Sequence, residues 1–302
     1  MEQKYQVVTG KQDISHLINQ LHKEEVLAIG IMDTGTRDEL EQTLGWYVQY
    51  FNHELYVITQ KDRIPADVMQ VNYPDVTFIV FDKAPDLAER VNALADECMT
   101  TYFLLTRSDT ALAEFNWEAI SAKMRSEIHP AVLCPLVFNK DKELVPTVRA
   151  PRLDRNGIDP LSLMPSSGTD QNLYPFLGLG LYDRALFQRL RGFDGKISGA
   201  YWQTLDFGTR CWLYGYPVLS VNDIAILFFS KQFLFEDRSE TAGVERFYTK
   251  ALCVNMVHGR TKVKKNIRTD KRVLANEVKP RAGLYRTDFK TLCATWKLPD
   301  EN

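Results

Sequence analysis

The residues best placed for chemistry in this chain sit where apolar runs stop. The segment TRSDT at 106–110 closes the apolar run 102–105 and sets Asp109 just beyond it. A carboxylate in that place can hold a divalent cation against a diphosphate, since Mg2+ and Mn2+ favour oxygen ligands and bridge to phosphates. The same place also suits a turn former or a helix N-cap. Arg107 can meet a phosphate directly, or it can pair with Asp109. Later, QTLDFGTR at 203–210 carries Gln203, Asp206 and Arg210, the last two one helical turn apart on one face. That pair reads either as part of a pocket floor or as an ordinary surface ion pair. Tyr201 and Trp202, just upstream, are able to stack on a sugar ring or to fill a core.

These side chains need elements to position them. A first amphipathic helix is predicted with Ile14, Leu17, Ile18 and Leu21 on one side. Strands are then predicted at Val26–Met32, Leu55–Thr59, Val76–Phe81, Thr101–Thr106 and Ala131–Phe138. Helices are predicted between them over 37–51, 85–98 and 111–126. This rhythm predicts an α/β fold, a mostly parallel sheet flanked by helices. Ligands of such sheets sit at the carboxyl ends of the strands, which singles out the turns at 33–36, 59–62 and 106–110. Residues 139–143 (NKDKE) predict a hairpin turn, and 149–175 a long loop rich in Pro, Gly, Ser and Asp. An apolar strand is predicted at 176–181, then a short helix capped by Asp183, a turn at RGFDG, and a second helix from near Thr204 to near Gly215. Val218–Phe229 reads as strand and 240–258 as helix.

The stretch 176–217 resembles the acceptor-side signature of GT-A-type glycosyltransferases, above all the family-2-like group. The matching pieces are Leu186-Phe187, Arg191-Gly192-Phe193-Asp194, Gln203-Thr204-Leu205-Asp206, Arg210 and Gly215-Tyr216. Two departures stand out. Gln203-Thr204 occupies the place of the family's Glu-Asp, whose Asp is the general base of inverting members. Arg107-Ser108-Asp109 occupies the place of D-x-D. The resemblance implies a GT-A-like (Rossmann-like) domain over 1–258, with a nucleotide-binding half at 25–110 and an acceptor half at 130–230. It implies transfer of a sugar from a nucleotide-sugar donor to a glycan, lipid-linked or protein acceptor. Asp109 is then the metal ligand, for Mn2+ or Mg2+, and Arg107 a further donor contact. Asp33 and Thr34 contact the base or ribose, and Asn92 matches the family's Asn on the donor side. With Thr204 in the base position, Asp206 is the nearest acid, with Gln203 orienting substrate; Trp202 and Arg210 fall on the acceptor side. His258 lies where some members carry a late histidine ligand, and it also suits a helix C-terminus. A relative of the same fold that binds a nucleotide sugar without transfer is the alternative. A nucleotidyltransferase of related fold is a weaker third, for which MDTGTRDEL offers only a thin phosphate loop.

Composition narrows the classes. The 302 residues are 45% hydrophobic, enough for one large α/β domain or two small ones. Lys and Arg number 37 against 39 Asp and Glu, so no bulk positive charge holds the chain to nucleic acid. Cys98, Cys134, Cys211, Cys253 and Cys293 are far apart and read as reduced thiols. With no signal-like apolar segment at the start and no apolar run of membrane-spanning length, a cytoplasmic location is expected. The balance shifts in 259–302. There Arg260, Lys262, Lys264, Lys265, Arg268 and further cations meet few acids, a basic tail suited to a phosphate-rich acceptor or an anionic membrane face, or to simple solvation.

Overall fold

The computed structural model describes residues 4–9, 26–63, 71–155 and 157–299. The first half supplies β1 (Tyr5–Thr9), β2 (Leu27–Met32), β3 (Glu54–Gln60), β4 (Val76–Phe81), β5 (Tyr102–Arg107), β6 (Thr110–Phe115) and β7 (Val132–Phe138). Five short strands follow: β8 (Val148–Ala150), β9 (Leu153–Asp154), β10 (Gly157–Ile158), β11 (Leu161–Leu163) and β12 (Asp170–Gln171). Then come β13 (Gly180–Asp183) and β14 (Val218–Phe228). One sheet runs β1-β4-β3-β2-β5-β13-β7-β14-β12, with β6 on β14. Strands β2, β3, β4, β5, β7 and β14 point one way, and β1, β6, β12 and β13 the other. The sheet is therefore mostly parallel, with its carboxyl ends gathered along one edge.

Local chemistry sets the helices. Helix α1 (Arg37–Tyr50) starts in a capping box, where Thr36 Oγ1 accepts from Glu39 N and the Glu39 carboxylate accepts from Thr36 N. Helix α2 (Leu87–Glu97) repeats the device with Asp86 and Glu89. It lies tight on β2 because Gly30 leaves room: a Cβ there would come within 2.1 Å of Leu94. Helices α3 (Trp117–Met124) and α4 (Arg184–Arg189) are short, and Asp183 caps α4 by accepting from Leu186 N as predicted.

Helix α5 (Ala200–Leu213) is the central element of the second half. Phe207 and Cys211 face the core of the main sheet. Tyr201, Leu205 and Leu213 face a second apolar cluster, shared with α6 (Val244–Leu252) and the C-terminal segment. Apolar surface is covered on both sides, so α5 is buried along most of its length.

Several expectations change. Residues 111–126 are not one helix: β6 pairs with β14 before α3 begins. The stretch 176–181 is a tight turn at Phe176–Gly178 followed by β13. Helix α5 starts at Ala200, ahead of Thr204, behind Gly199 at φ 81°. The loop 149–175 holds two small antiparallel pairs, β8 with β11 and β9 with β10, and β12 joins the sheet edge. Helix α6 ends at Leu252, and His258 sits at φ 50° in the exposed turn between β15 (Val254–Val257) and β16 (Arg260–Val263). Beyond it the chain folds back. Val273, Leu274, Val278, Tyr285 and Phe289 are buried, and α7 (Phe289–Thr295) closes the described residues. The helix predicted around Ile14–Leu21 lies outside the described residues.

Candidate active site at the carboxyl ends of the strands

The turns after β2, β3, β5 and β14 converge. Ser108, buried, ties two of them: its Oγ accepts from Thr34 N at 3.0 Å and Gly35 N at 2.9 Å, and its carbonyl accepts from Thr43 Oγ1 at 2.9 Å. The Asp33 carboxylate is buried and receives Thr59 Oγ1 at 2.6 Å and both arms of Arg63 at 2.8 Å. Arg63 also donates to the Gly35 carbonyl. Arg90, on α2, donates to the Asp33 carbonyl at 3.3 Å.

Asp109 is held more completely. Arg107 Nε reaches Oδ1 at 2.7 Å and Nη2 reaches Oδ2 at 2.9 Å; Thr34 Oγ1 donates to Oδ1 at 3.1 Å; Lys231 Nζ sits 2.8 Å from Oδ2. Four donors thus occupy the four lone-pair directions of one carboxylate. Burial would raise the Asp109 carboxyl, but Arg107 and Lys231 outweigh it and hold it well below the usual carboxylate range. The acid is 2% exposed, whereas Arg107 is 13% and Lys231 41% exposed, so the cations form the solvent side of the cluster. Arg107 and Lys231 also lie over the Phe228 ring. Arg90 feels the positive charges of Arg63 and Arg107; burial first, then these neighbours, lower its pKa against the pull of Asp33.

A divalent cation requires several oxygen ligands with free lone pairs. Asp109 has none to spare and Asp33 is clamped by Arg63. Among the described residues no group of three or more His, Cys, Asp or Glu converges as a metal site. His258 is in the turn of the β15–β16 hairpin, outside the main sheet. The residues present do not fit a resident divalent cation, and what the site presents instead is a set of guanidinium and ammonium groups.

The α5 residues are held by neighbours within the chain. Gln203 is fully buried: its Oε1 accepts from Ala88 N at 2.9 Å, and its Nε2 donates to Asp86 Oδ2 at 3.0 Å and the Ile197 carbonyl at 2.8 Å. Asp206 is also fully buried, paired with Arg210 Nε at 2.8 Å and Lys250 Nζ at 2.6 Å. Thr204, in the base position, donates back to the Ala200 and Tyr201 carbonyls. None of the three offers a free proton acceptor to a substrate. Arg210 spends its other nitrogens on the carbonyls of Leu190 and Gly192, locking the RGFDG turn. Trp202 packs against Tyr201, Phe247 and Tyr248. Asn92 is a clasp on the same turn: it donates to the Phe193 carbonyl at 2.9 Å and accepts from Phe193 N at 3.0 Å. The polar atoms of Gln203, Asp206, Asn92 and Arg210 are thus engaged by other groups of the chain. The two ends are nevertheless mechanically joined. Gln203 binds the N-cap of α2, and Arg90, one turn on, reaches the Asp33 carbonyl.

Sequence reasoning placed Asp33, Thr34, Arg107 and Asp109 together and allowed for the Arg107–Asp109 pair. It missed Ser108, Arg63 and Lys231. Arg63 lies one residue past the turn that the strand-end rule selects, and Lys231 closely follows the end of β14, where the same rule applies.

No protein-family profile matches the chain, and no curated protein is similar to it in sequence. Its fold has solved counterparts. The structure of GalNAc-T7 with UDP, GalNAc and Mn2+ superposes with a TM-score of 0.62 at 11% identity, over 89% of this chain. The chain spans 56% of that protein's chain. The mannosyltransferase PcManGT from Pyrobaculum calidifontis, with GDP-Man and Mn2+, gives a TM-score of 0.47 at 12% identity, covering 75% of this chain and 65% of its own. With the sheet order above, the first likeness identifies the fold as GT-A-type.

Proposed function

We propose that this protein is a glycosyltransferase that uses a nucleotide-sugar donor, and that Arg63, Arg90, Arg107 and Lys231 receive the donor's diphosphate. The observation that carries the reading is the cation-faced cluster at the carboxyl ends of β2, β3, β5 and β14. Breaking the bond between sugar and diphosphate leaves negative charge on the diphosphate. Preorganised cations beside it stabilise that charge without rearrangement. In this reading Asp109 is a scaffold: it fixes Arg107 and Lys231 rather than binding metal. Asp33 does the same for Arg63, and Thr34 and Gly35 shape the turn on which the nucleoside rests. Calorimetric titration with UDP and GDP, in buffer containing EDTA, tests the assignment; binding that Lys231→Ala weakens supports it, and no binding of either nucleotide refutes it.

One observation favours a second reading. Thr204, Gln203 and Asp206 leave the usual base position without a free carboxylate, which suits a protein that binds a nucleotide sugar without transferring it. A turnover assay on the donor that binds separates the two, since release of nucleoside diphosphate coupled to a glycosylated product occurs only in the first.

A further inference from the structure

The opposite wall of α2 carries a second concentration of positive charge. A cavity of about 410 Å3 lies between α2, the RGFDG turn, α6 and the C-terminal segment. Seven basic and three acidic side chains line it. Four of the cations are committed: Lys4 to Glu89, Arg210 to Asp206, Arg246 to Asp194 and Glu277, and Lys250 to Asp194 and Asp206. Asp194 would be raised by burial, but Lys250 and Arg246 hold it below the usual carboxylate range. The other three, Arg191, Lys196 and Arg281, make no ion pair among the described residues. Arg281 goes further: its Nη2 is buried without any hydrogen-bond partner. An unmade bond at a guanidinium is costly unless a ligand completes it.

The backbone of Arg191 adds an independent sign. Helix α4 ends in a Schellman motif, with Gly192 N donating to the Phe187 carbonyl and Arg191 N to the Gln188 carbonyl. The C′ position of that motif is left-handed and favours glycine, yet Arg191 occupies it at φ 67°. Its side chain lines the cavity and also the cleft beside Asn92, while Arg281 also lines an adjoining cleft with Arg189 and Arg286. Arg191 and Arg281 thus each border a second cleft as well as the cavity.

From these observations we infer a binding site for a ligand bearing clustered phosphate groups, with Arg191, Lys196 and Arg281 as its contacts. The site is separate from the donor cluster: Glu89 and Asn92 face it, whereas Arg90 of the same helix faces Asp33. The ligand chemistry is shared by soluble phosphate esters and by phosphorylated lipid headgroups.

Inorganic tripolyphosphate at fixed ionic strength is the probe, titrated into the full chain by calorimetry. Two independent binding events are expected. Lys196→Ala and Arg191→Gly, both at exposed positions, should each weaken one event about tenfold, the worth of one charge-assisted hydrogen bond, and leave the other unchanged. Lys231→Ala should do the reverse. Arg191→Gly should also raise Tm, which separates lost contact from lost fold. Sedimentation with phosphatidylcholine vesicles containing phosphatidylinositol bisphosphate identifies the source: binding that both variants weaken points to a lipid headgroup, and tripolyphosphate binding without vesicle binding points to a soluble ester. Affinity for tripolyphosphate that neither Lys196→Ala nor Arg191→Gly alters overturns the inference, whatever the donor site does.

Discussion

Two acids in this molecule are gripped in nearly the same way. Asp109 has Arg107 at 2.7 Å and Lys231 at 2.8 Å; Asp206 has Arg210 at 2.8 Å and Lys250 at 2.6 Å. The difference lies in the cations. Lys231 and Arg107 are 41% and 13% exposed, but Lys250 and Arg210 only 7% and 6%. The first trio ends at a sheet edge with solvent in front. The second is sealed because α5 has an apolar cluster on each side. The cations of the first cluster therefore front solvent, whereas those of the second are committed to buried acids even where they border a cavity. Pairing pattern alone does not tell scaffold from site; what covers the pair does.

The largest effect expected from this contrast is on the sealed trio. Arg210→Ala leaves Asp206 buried beside a single partner and frees the Leu190 and Gly192 carbonyls, and should cost about 3–5 kcal/mol in urea unfolding. An effect below about 1 kcal/mol would place that pair on a solvated surface, against the structure. At the rim the order reverses. Lys231→Ala should weaken UDP or GDP binding about tenfold, one charge-assisted contact, while changing unfolding free energy by about 1 kcal/mol or less. Large destabilisation with unchanged affinity would erase the distinction.

Acid sharpens it further. Burial opposes ionisation of Asp109 and Asp194, but their basic partners win, so both carboxyls titrate below their unfolded value of about 3.9. The stability they contribute is fully present above that value and is lost as pH falls below about 4. Urea melts from about pH 6 down to about pH 3 should show this loss, and Asp109→Asn should flatten it; an unaltered slope would remove Asp109 from the account. The smallest effect is Arg191→Gly, which relieves one left-handed residue and should stabilise by about 1 kcal/mol.

The sequence was most legible where signals are local. TRSDT after an apolar run and the strand-helix rhythm gave the β5 end and the parallel sheet, and Asp183 was recognisable as a cap. Partners set by distant chain were not. Residues 110–115 pair with β14 more than a hundred positions away, which overrides the helical reading of that segment. Lys231 and Asp109 meet only because β14 returns beside the sheet edge. Gly199, in a left-handed N-cap, hid the first turn of α5, so Gln203 looked like a loop-end residue when it is an interior one. The resemblance carried the Asp206–Arg210 spacing correctly but not its burial, which involves α6, whose Lys250 reaches Asp206 from more than forty positions away.

The central claim is that cations of the chain itself, fixed by Asp109, receive the donor's diphosphate. Titration of UDP and GDP into wild type and Asp109→Asn, each with EDTA and with Mn2+, addresses it directly. The account predicts binding in EDTA that Mn2+ leaves unchanged and that Asp109→Asn retains within about tenfold, since the cations remain. Binding that appears only with Mn2+ and vanishes in Asp109→Asn would contradict it and restore Asp109 as a metal ligand.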